Sequence, residues 1–158
     1  MITILFLMGA FWCAGAAVLL VIICKAASKP LPIRELQKET ILAIDDDSAI
    51  LDIEKLALEG EGYTVHTVSN PQEALKYYSE HWRSIKLVLL DFLMPEMTGD
   101  LVFASMRKID PQVPVLLVTG NFDRIQSLEL RGETCGCLAK PFALGELIQR
   151  VRDVAVLA

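Results

Sequence analysis

A scattered set of residues in this chain combines the side-chain types that move a phosphoryl group. Asp45 and Asp46 end one apolar run, Asp91 ends a second, Thr119 ends a third, and Lys140-Pro141 follow a fourth. Carboxylates held together repel unless a cation joins them. Magnesium prefers such hard oxygens, keeps several waters, and is commonly bound by carboxylates together with phosphate. A carboxylate ending a central strand can attack phosphorus and form an acyl phosphate. Positioned cations then stabilise the charge spread over the transferring oxygens. Asp91 is therefore the expected nucleophile, with Lys140 and magnesium as the cations. Thr119 is the expected hydrogen-bond donor to a phosphoryl oxygen. Gly120, beside it, has no side chain to block the entering group.

These residues can meet only if strands carry them to a common edge. From Thr40 onward the pattern alternates between short apolar runs and helical spacing. Residues 41–44 read as a strand buried on both faces. Residues 48–59 read as a helix with Ile50, Ile53, Leu56 and Ala57 on its inner face, opened by Asp47 as a cap and stopped by Gly60 and Gly62. A strand follows at 63–68, then a helix capped by Asn70 with Pro71 in its first position. The strongest strand is 87–90. A third helix starts after Gly99 and ends near Asp110-Pro111, followed by a strand at 113–118, a polar helix at 123–131 and a short strand at 134–139. Leu144, Leu147, Ile148, Val151 and Val154 mark an amphipathic last helix. Five strands separated by helices imply a parallel sheet covered on both faces. In such folds the ligand site lies beyond the carboxyl ends of the strands, at a topological switch point.

The 53% hydrophobic composition is not evenly spread. Residues 2–24 contain no charge and no proline. As a helix at ~1.5 Å per residue they span roughly 33 Å, enough to cross a bilayer core. No basic residue precedes this run, and it exceeds the usual h-region of about 7–15 residues, so it reads as an uncleaved anchor rather than a signal peptide. Basic residues follow it at once, which places the N-terminus outside and the remainder in the cytoplasm. Gly9, Cys13 and Ala17 recur every four residues, a spacing that permits close helix packing and a homodimer. Residues 25–39, with two prolines, read as a juxtamembrane linker of at most ~50 Å. The expected organisation is an anchor at 1–24, a linker at 25–39 and a domain at 40–158.

Four basic and two acidic residues up to Glu39 leave that stretch at +2, so the remainder carries −7 of a net charge of −5. An acidic domain without a basic stripe argues against nucleic-acid binding. Cys13, Cys24, Cys135 and Cys137 match neither a zinc spacing nor a disulfide framework. His66 and His81 read as structural or surface residues.

The segments ILAIDDDSAIL, LVLLDFLMPEMTG, VLLVTG and CLAKPF resemble the receiver domain of two-component response regulators, over about residues 40–157. The resemblance implies a flavodoxin-like doubly wound sheet of order 2-1-3-4-5, here preceded by one transmembrane helix. It makes Asp91 the phosphoacceptor, becoming 4-aspartylphosphate. It makes Asp45, Asp46, Asp91 and the backbone carbonyl of Leu93 the Mg2+ ligands, Thr119 the switch hydroxyl, and Lys140 the phosphate-pairing lysine. Pro141 becomes a candidate for a cis bond. Leu93 and Asn121, flanking the site, would tune the lifetime of the phosphoryl group. The implied donor is a histidine kinase or histidine phosphotransfer protein, in a phosphorelay, and the chain would not be an enzyme in the ordinary sense. Cys137 departs from the pattern, because the family usually places Tyr or Phe three residues before the lysine. No output domain follows, so the signal is expected to pass to a downstream protein by contact.

Two other readings compete. A phosphotransferase or phosphatase of the haloacid-dehalogenase type also uses an aspartate nucleophile, a Thr-ended strand and a lysine. However, Ala49 stands where that motif wants Thr or Val, and the late acidic pair is missing, with only Glu146 and Asp153 remaining. A non-phosphorylated interaction module on a membrane anchor is the other alternative.

Overall fold

The computed structural model describes residues 39–120 and 136–157. The chain divides into two compact units, Met1–Gln37 and Lys38–Ala158, and all described residues lie in the second. The apolar runs form β1 (Thr40–Ile44), β2 (Thr64–Val68), β3 (Ile85–Asp91), β4 (Val115–Thr119) and β5 (Gly136–Ala139). They pair in parallel in the order β2-β1-β3-β4-β5. The described helices are α1 (Ser48–Gly60), α2 (Pro71–His81) and α3 (Gly99–Ile109) between strands and α4 (Leu144–Leu157) after β5, with a 3-10 turn at Trp82–Ser84. The sheet reverses its strand order between β1 and β3, and the site residues end those two strands.

Alternation along each strand divides the core in two. Leu42, Ile44, Val88, Leu90, Val115, Leu117 and Cys137 pack on one face with Ala74 and Tyr78 of α2 and Val102 and Met106 of α3. Ile41, Ala43, Leu87, Leu89, Leu116 and Leu138 pack on the other with Leu51 and Leu58 of α1 and Leu147, Val151 and Val154 of α4. A strand buried on both faces cannot carry a polar residue until it leaves the core, which is why the acids sit at strand ends.

The helix starts follow local chemistry. The Asp47 carboxylate accepts from the N–H of Ala49 at 2.9 Å and caps α1. Asn70 accepts from Gln72 and Glu73 at 2.9 and 3.1 Å, and Pro71 takes the first position of α2, where no N–H is needed. Past the end of α1, Gly62 adopts φ 95°, a turn that side chains resist. His66 and His81 sandwich the ring of Tyr77, with centroid distances of 3.7 and 4.2 Å, in keeping with structural roles.

The structure corrects the inner face of α1. Ile53 and Leu56 are 49% and 79% exposed, and Ile50 and Ala57 are only half-buried. The buried face is Leu51, Glu54 and Leu58. An acid in the middle of that face disguised it, because apolar periodicity cannot register a buried carboxyl. Strand β4 also begins later than expected, at Val115. Val113 is buried but bonds back to Asp110 O in a turn, and Pro114 cannot donate to the ladder. Among the described residues no helix is long and apolar enough to cross a membrane. The anchor expected at 2–24, most of the linker, Asn121 and the polar helix expected at 123–131 lie outside the described residues.

Glu54 is 1% exposed. Burial pushes its carboxyl from the usual 4.5 up to about 7, with Asp45 and Asp91 adding to the rise and Lys140 opposing it. Between those two values the folded state binds more protons at Glu54 than the unfolded one, so the contribution of this group to stability is fully present below about 4.5 and is lost as pH climbs through about 7. The fall should amount to roughly 3 kcal/mol. Urea denaturation of wild type and Glu54→Leu in chelator at pH 4.5 and pH 8 should show that extra loss in the wild type alone. The corrected face of α1 has its own test by the same measurement: Leu58→Ala should cost about 2–5 kcal/mol, and Leu56→Ala less than about 0.5 kcal/mol.

Candidate functional site

Strand register delivers the site. Ile44 pairs with Leu90, so Asp45 and Asp91 leave β1 and β3 side by side. Asp91 pairs with Val118, so Thr119 lies one step beyond on β4. Thr119 pairs with Ala139, which puts Lys140 just past the end of β5. The backbone continues this staircase, with Phe92 N–H donating to Val118 O at 3.0 Å and Lys140 N–H to Thr119 O at 2.8 Å.

The Lys140 ammonium donates to Asp45 Oδ2 at 2.6 Å and to Asp91 Oδ1 at 3.0 Å. It therefore bridges two carboxylates that are themselves almost fully buried. Asp45 also accepts from the N–H of Asp47 at 2.9 Å, which ties the first acid to the start of α1. Asp46 is exposed, yet one oxygen from each of Asp45, Asp46 and Asp91 lies within 4.8 Å of the others. Thr119 is buried beside them. The Lys140–Pro141 peptide bond is cis. Leu93 is 55% exposed, its backbone N–H helps to lower the Asp91 carboxyl, and a methyl at Gly120 would meet open space.

The electrostatics follow from burial against pairing. Burial raises the Asp91 carboxyl, and the Lys140 hydrogen bond and charge offset only part of that rise, to which Asp45 adds. For Lys140 burial acts downward, but the hydrogen bonds and charges of Asp45 and Asp91 outweigh it and raise the ammonium. Lys140 therefore stays charged. Ion pairing alone would lower Asp91, so burial dominates at the acid and pairing at the lysine.

Gly99 fixes the ground beneath Asp91. Its N–H donates to Phe92 O at 2.9 Å, closing the loop between β3 and α3 at the neck. A methyl there would lie 2.6 Å from Asp91 O and 2.9 Å from Phe92 Cα, so only glycine permits this approach. Asn70, which caps α2, donates to Glu96 at 3.0 Å across the same loop. Cys137 is buried in the core where the resemblance leads one to expect an aromatic ring.

Three carboxylates face one ammonium, leaving two negative charges when all are ionised. A divalent cation matches that deficit, and the donor set is entirely hard oxygen, so the residues present fit magnesium. Glu54 was not anticipated as part of this environment. Its carboxyl interacts electrostatically with Asp45, Lys140 and Asp91. The only sequence signal was an acid spaced three from Leu51 and four from Leu58.

Comparison with known proteins agrees with this geometry. The family described as "Response regulator receiver domain" matches residues 41–152. The transcriptional regulatory protein CpxR homolog of Haemophilus influenzae is 38% identical over 117 residues, 72% of this chain and 49% of that protein. The sensor kinase CckA of Brucella abortus is 31% identical over 116 residues, 73% of this chain and 12% of that protein. The crystal structure of a response regulator receiver domain protein from Clostridium thermocellum superposes with a TM-score of 0.69 at 31% identity, covering 75% of this chain and 94% of that one. The chain thus spans about half the length of the first of these relatives, and far less of the second. The family consists of signalling phosphoacceptors rather than classical enzymes, which sets aside the dehalogenase-type reading. With its sheet order and the acidic cluster at the switch point, the chain belongs to the response regulator receiver domain family.

Proposed function

We propose that this receiver domain takes a phosphoryl group onto Asp91 from a histidine kinase or histidine phosphotransfer protein, and signals by a change of conformation. The carrying observation is the Lys140 ammonium bonded to both Asp45 and Asp91 at the carboxyl edge of the sheet. An Asp91 carboxylate oxygen attacks phosphorus, forming a P–O bond as the P–N bond of the donor phosphohistidine breaks. The imidazole nitrogen keeps the electron pair. Lys140, already within reach, pairs with the incoming phosphoryl oxygens, and the Thr119 hydroxyl donates to one of them. The Leu93 N–H holds the acceptor carboxylate in place, and the open space above Gly120 admits the group. Asp45, Asp46, Asp91 and the Leu93 carbonyl would hold Mg2+. When bound, it supplies the charge that lets acids and phosphoryl group share the site.

Leu93 and Asn121 act as tuning positions for the lifetime of the acyl phosphate. Phosphorylation biases a two-state equilibrium in the loops after Asp91 and Thr119. A downstream protein reads that bias by contact. With Cys137 in place of an aromatic ring, the readout in this chain does not run through a ring rotation at that position.

In this reading residues 1–24 anchor the chain in the cytoplasmic membrane, N-terminus out, with Gly9, Cys13 and Ala17 available for a homodimer contact. Residues 25–39 are the linker, and residues 40–158 are the receiver on the cytoplasmic face. The uncharged run at 2–24 and the basic residues after it support that topology.

Incubation of the full chain with magnesium and acetyl phosphate should give acid-stable, base-labile phosphate. Asp91→Asn should reduce labelling to background. An unlabelled wild type would favour the non-phosphorylated interaction module instead. Cell fractionation should find the full chain in the membrane pellet after alkaline carbonate washing, and a chain lacking residues 2–24 in the supernatant.

A further inference from the structure

Asn70 uses both ends of its amide. Its Oδ1 accepts from the N–H groups of Gln72 and Glu73, and its Nδ2 donates to Glu96 Oε2 at 3.0 Å. Aspartate caps helices about as well as asparagine, and serine is close behind. An aspartate here would meet Glu96 with a second negative charge. A serine would cap from its γ position and lacks the δ nitrogen that Glu96 receives. The identity of this cap therefore follows from a carboxylate 26 residues away.

The two loops joined in this way flank the acidic cluster. Ile44 pairs with Val68, and Asp45 N–H donates to Val68 O at 3.4 Å, so the chain leaves β2 toward Asn70 beside the first acid. Glu96 lies in the loop that follows Asp91. β1 stands between β2 and β3 in the sheet, so the Asn70–Glu96 bond passes the end of β1 from one side to the other. It does so on the face covered by α2 and α3, whereas β1 leads into α1 on the opposite face. One rim of the site is thus closed by this clasp. The loop after Asp91 is held at its base by the Gly99–Phe92 bond, within the core by Met94, and at its exposed tip by Glu96. The first two holds fix the limb next to Asp91, and the clasp fixes the limb beyond Pro95. Exposed segments open far more readily than a core, and each bond that holds them shifts that equilibrium.

We propose that Asn70 and Glu96 are positioning residues that set the lifetime of the phosphoryl group, their bond keeping the loop after Asp91 closed along this rim and water away from the acyl phosphate. This rests on the phosphoacceptor reading given above and adds to it a control outside the residues that touch the phosphoryl group. The step controlled is hydrolysis. A water oxygen attacks phosphorus, the P–O bond to Asp91 breaks, and the Asp91 carboxylate keeps the electron pair. Inorganic phosphate leaves, and the protons of the water pass to it and to solvent. Opening of the clasped limb widens the path by which that water arrives.

For the test, the full chain in detergent micelles is labelled with magnesium and acetyl phosphate, the donor is removed, and the decay of acid-stable phosphate is followed. Asn70→Asp keeps the cap and sets two carboxylates against each other. Glu96→Ala leaves the cap untouched. Both should shorten the half-life roughly threefold, in line with the modest net worth of one charge-assisted hydrogen bond. The double variant Asn70→Asp/Glu96→Gln exchanges donor and acceptor and should restore the wild-type half-life. A role in capping alone predicts wild-type decay for both single variants, since each keeps the cap, and that result overturns the proposal. So does a double variant that decays as fast as Asn70→Asp. A wild type that takes up no label overturns the phosphoacceptor reading, and this inference with it.

Discussion

Asp45 and Asp91 are two buried acids placed side by side, and Lys140 stands between them and relieves their repulsion. The three residues are far apart in sequence, and the ammonium reaches both carboxylates within 3.0 Å. Two adjacent carboxylates in a medium of reduced dielectric repel strongly, and removing the bridging charge from such a cluster typically costs about 3–5 kcal/mol. The register of β1, β3, β4 and β5 can be understood as the device that brings this cation to those acids. Each strand hands the site one residue farther along, so a slip of one position anywhere would separate the charges and turn apolar side chains away from their core.

The bridge is incomplete by design of charge. One lysine answers three carboxyl groups, and a fourth carboxyl, that of Glu54, is buried on the inner face of α1. A core built for stability alone would carry leucine at that place. The chain instead tolerates a carboxyl that resists ionisation, next to a cluster that already lacks positive charge. Ionising that carboxyl costs stability, because burial favours its neutral form. Asp91 shares in this tension, since its burial opposes the ionised form that a nucleophile requires.

Much of the architecture was legible because strands buried on both faces write themselves as continuous apolar runs, and because an acid, a threonine or a lysine immediately after such a run can only lie at the sheet edge. Asn70-Pro71 and Asp47 announced their helices through capping chemistry that acts within three residues. What stayed hidden depended on tertiary neighbours. Ile53 and Leu56 mimic a core stripe because α1 carries apolar residues on both sides, and Glu54 hid the true one. Leu93 and Gly120 could be placed beside the site, but the open space at Gly120 required backbone coordinates. Gly99 read as a helix start, whereas its packing role comes from the carbonyl of Asp91 occupying the space a Cβ would need.

That close approach makes the stretch between Phe92 and Gly99 a lasso with a knotted throat. The Gly99 N–H to Phe92 O bond holds the two ends, and the absence of a side chain keeps them tight. Of the intervening residues, Leu93, Pro95, Glu96 and Thr98 are exposed, whereas Met94 is buried in the core and ties the loop to it. The strand and helix on either side of the throat stay where they are. Substitutions at the exposed loop positions therefore leave the throat and the core anchor untouched, whereas Met94 couples the loop to the packing beneath it.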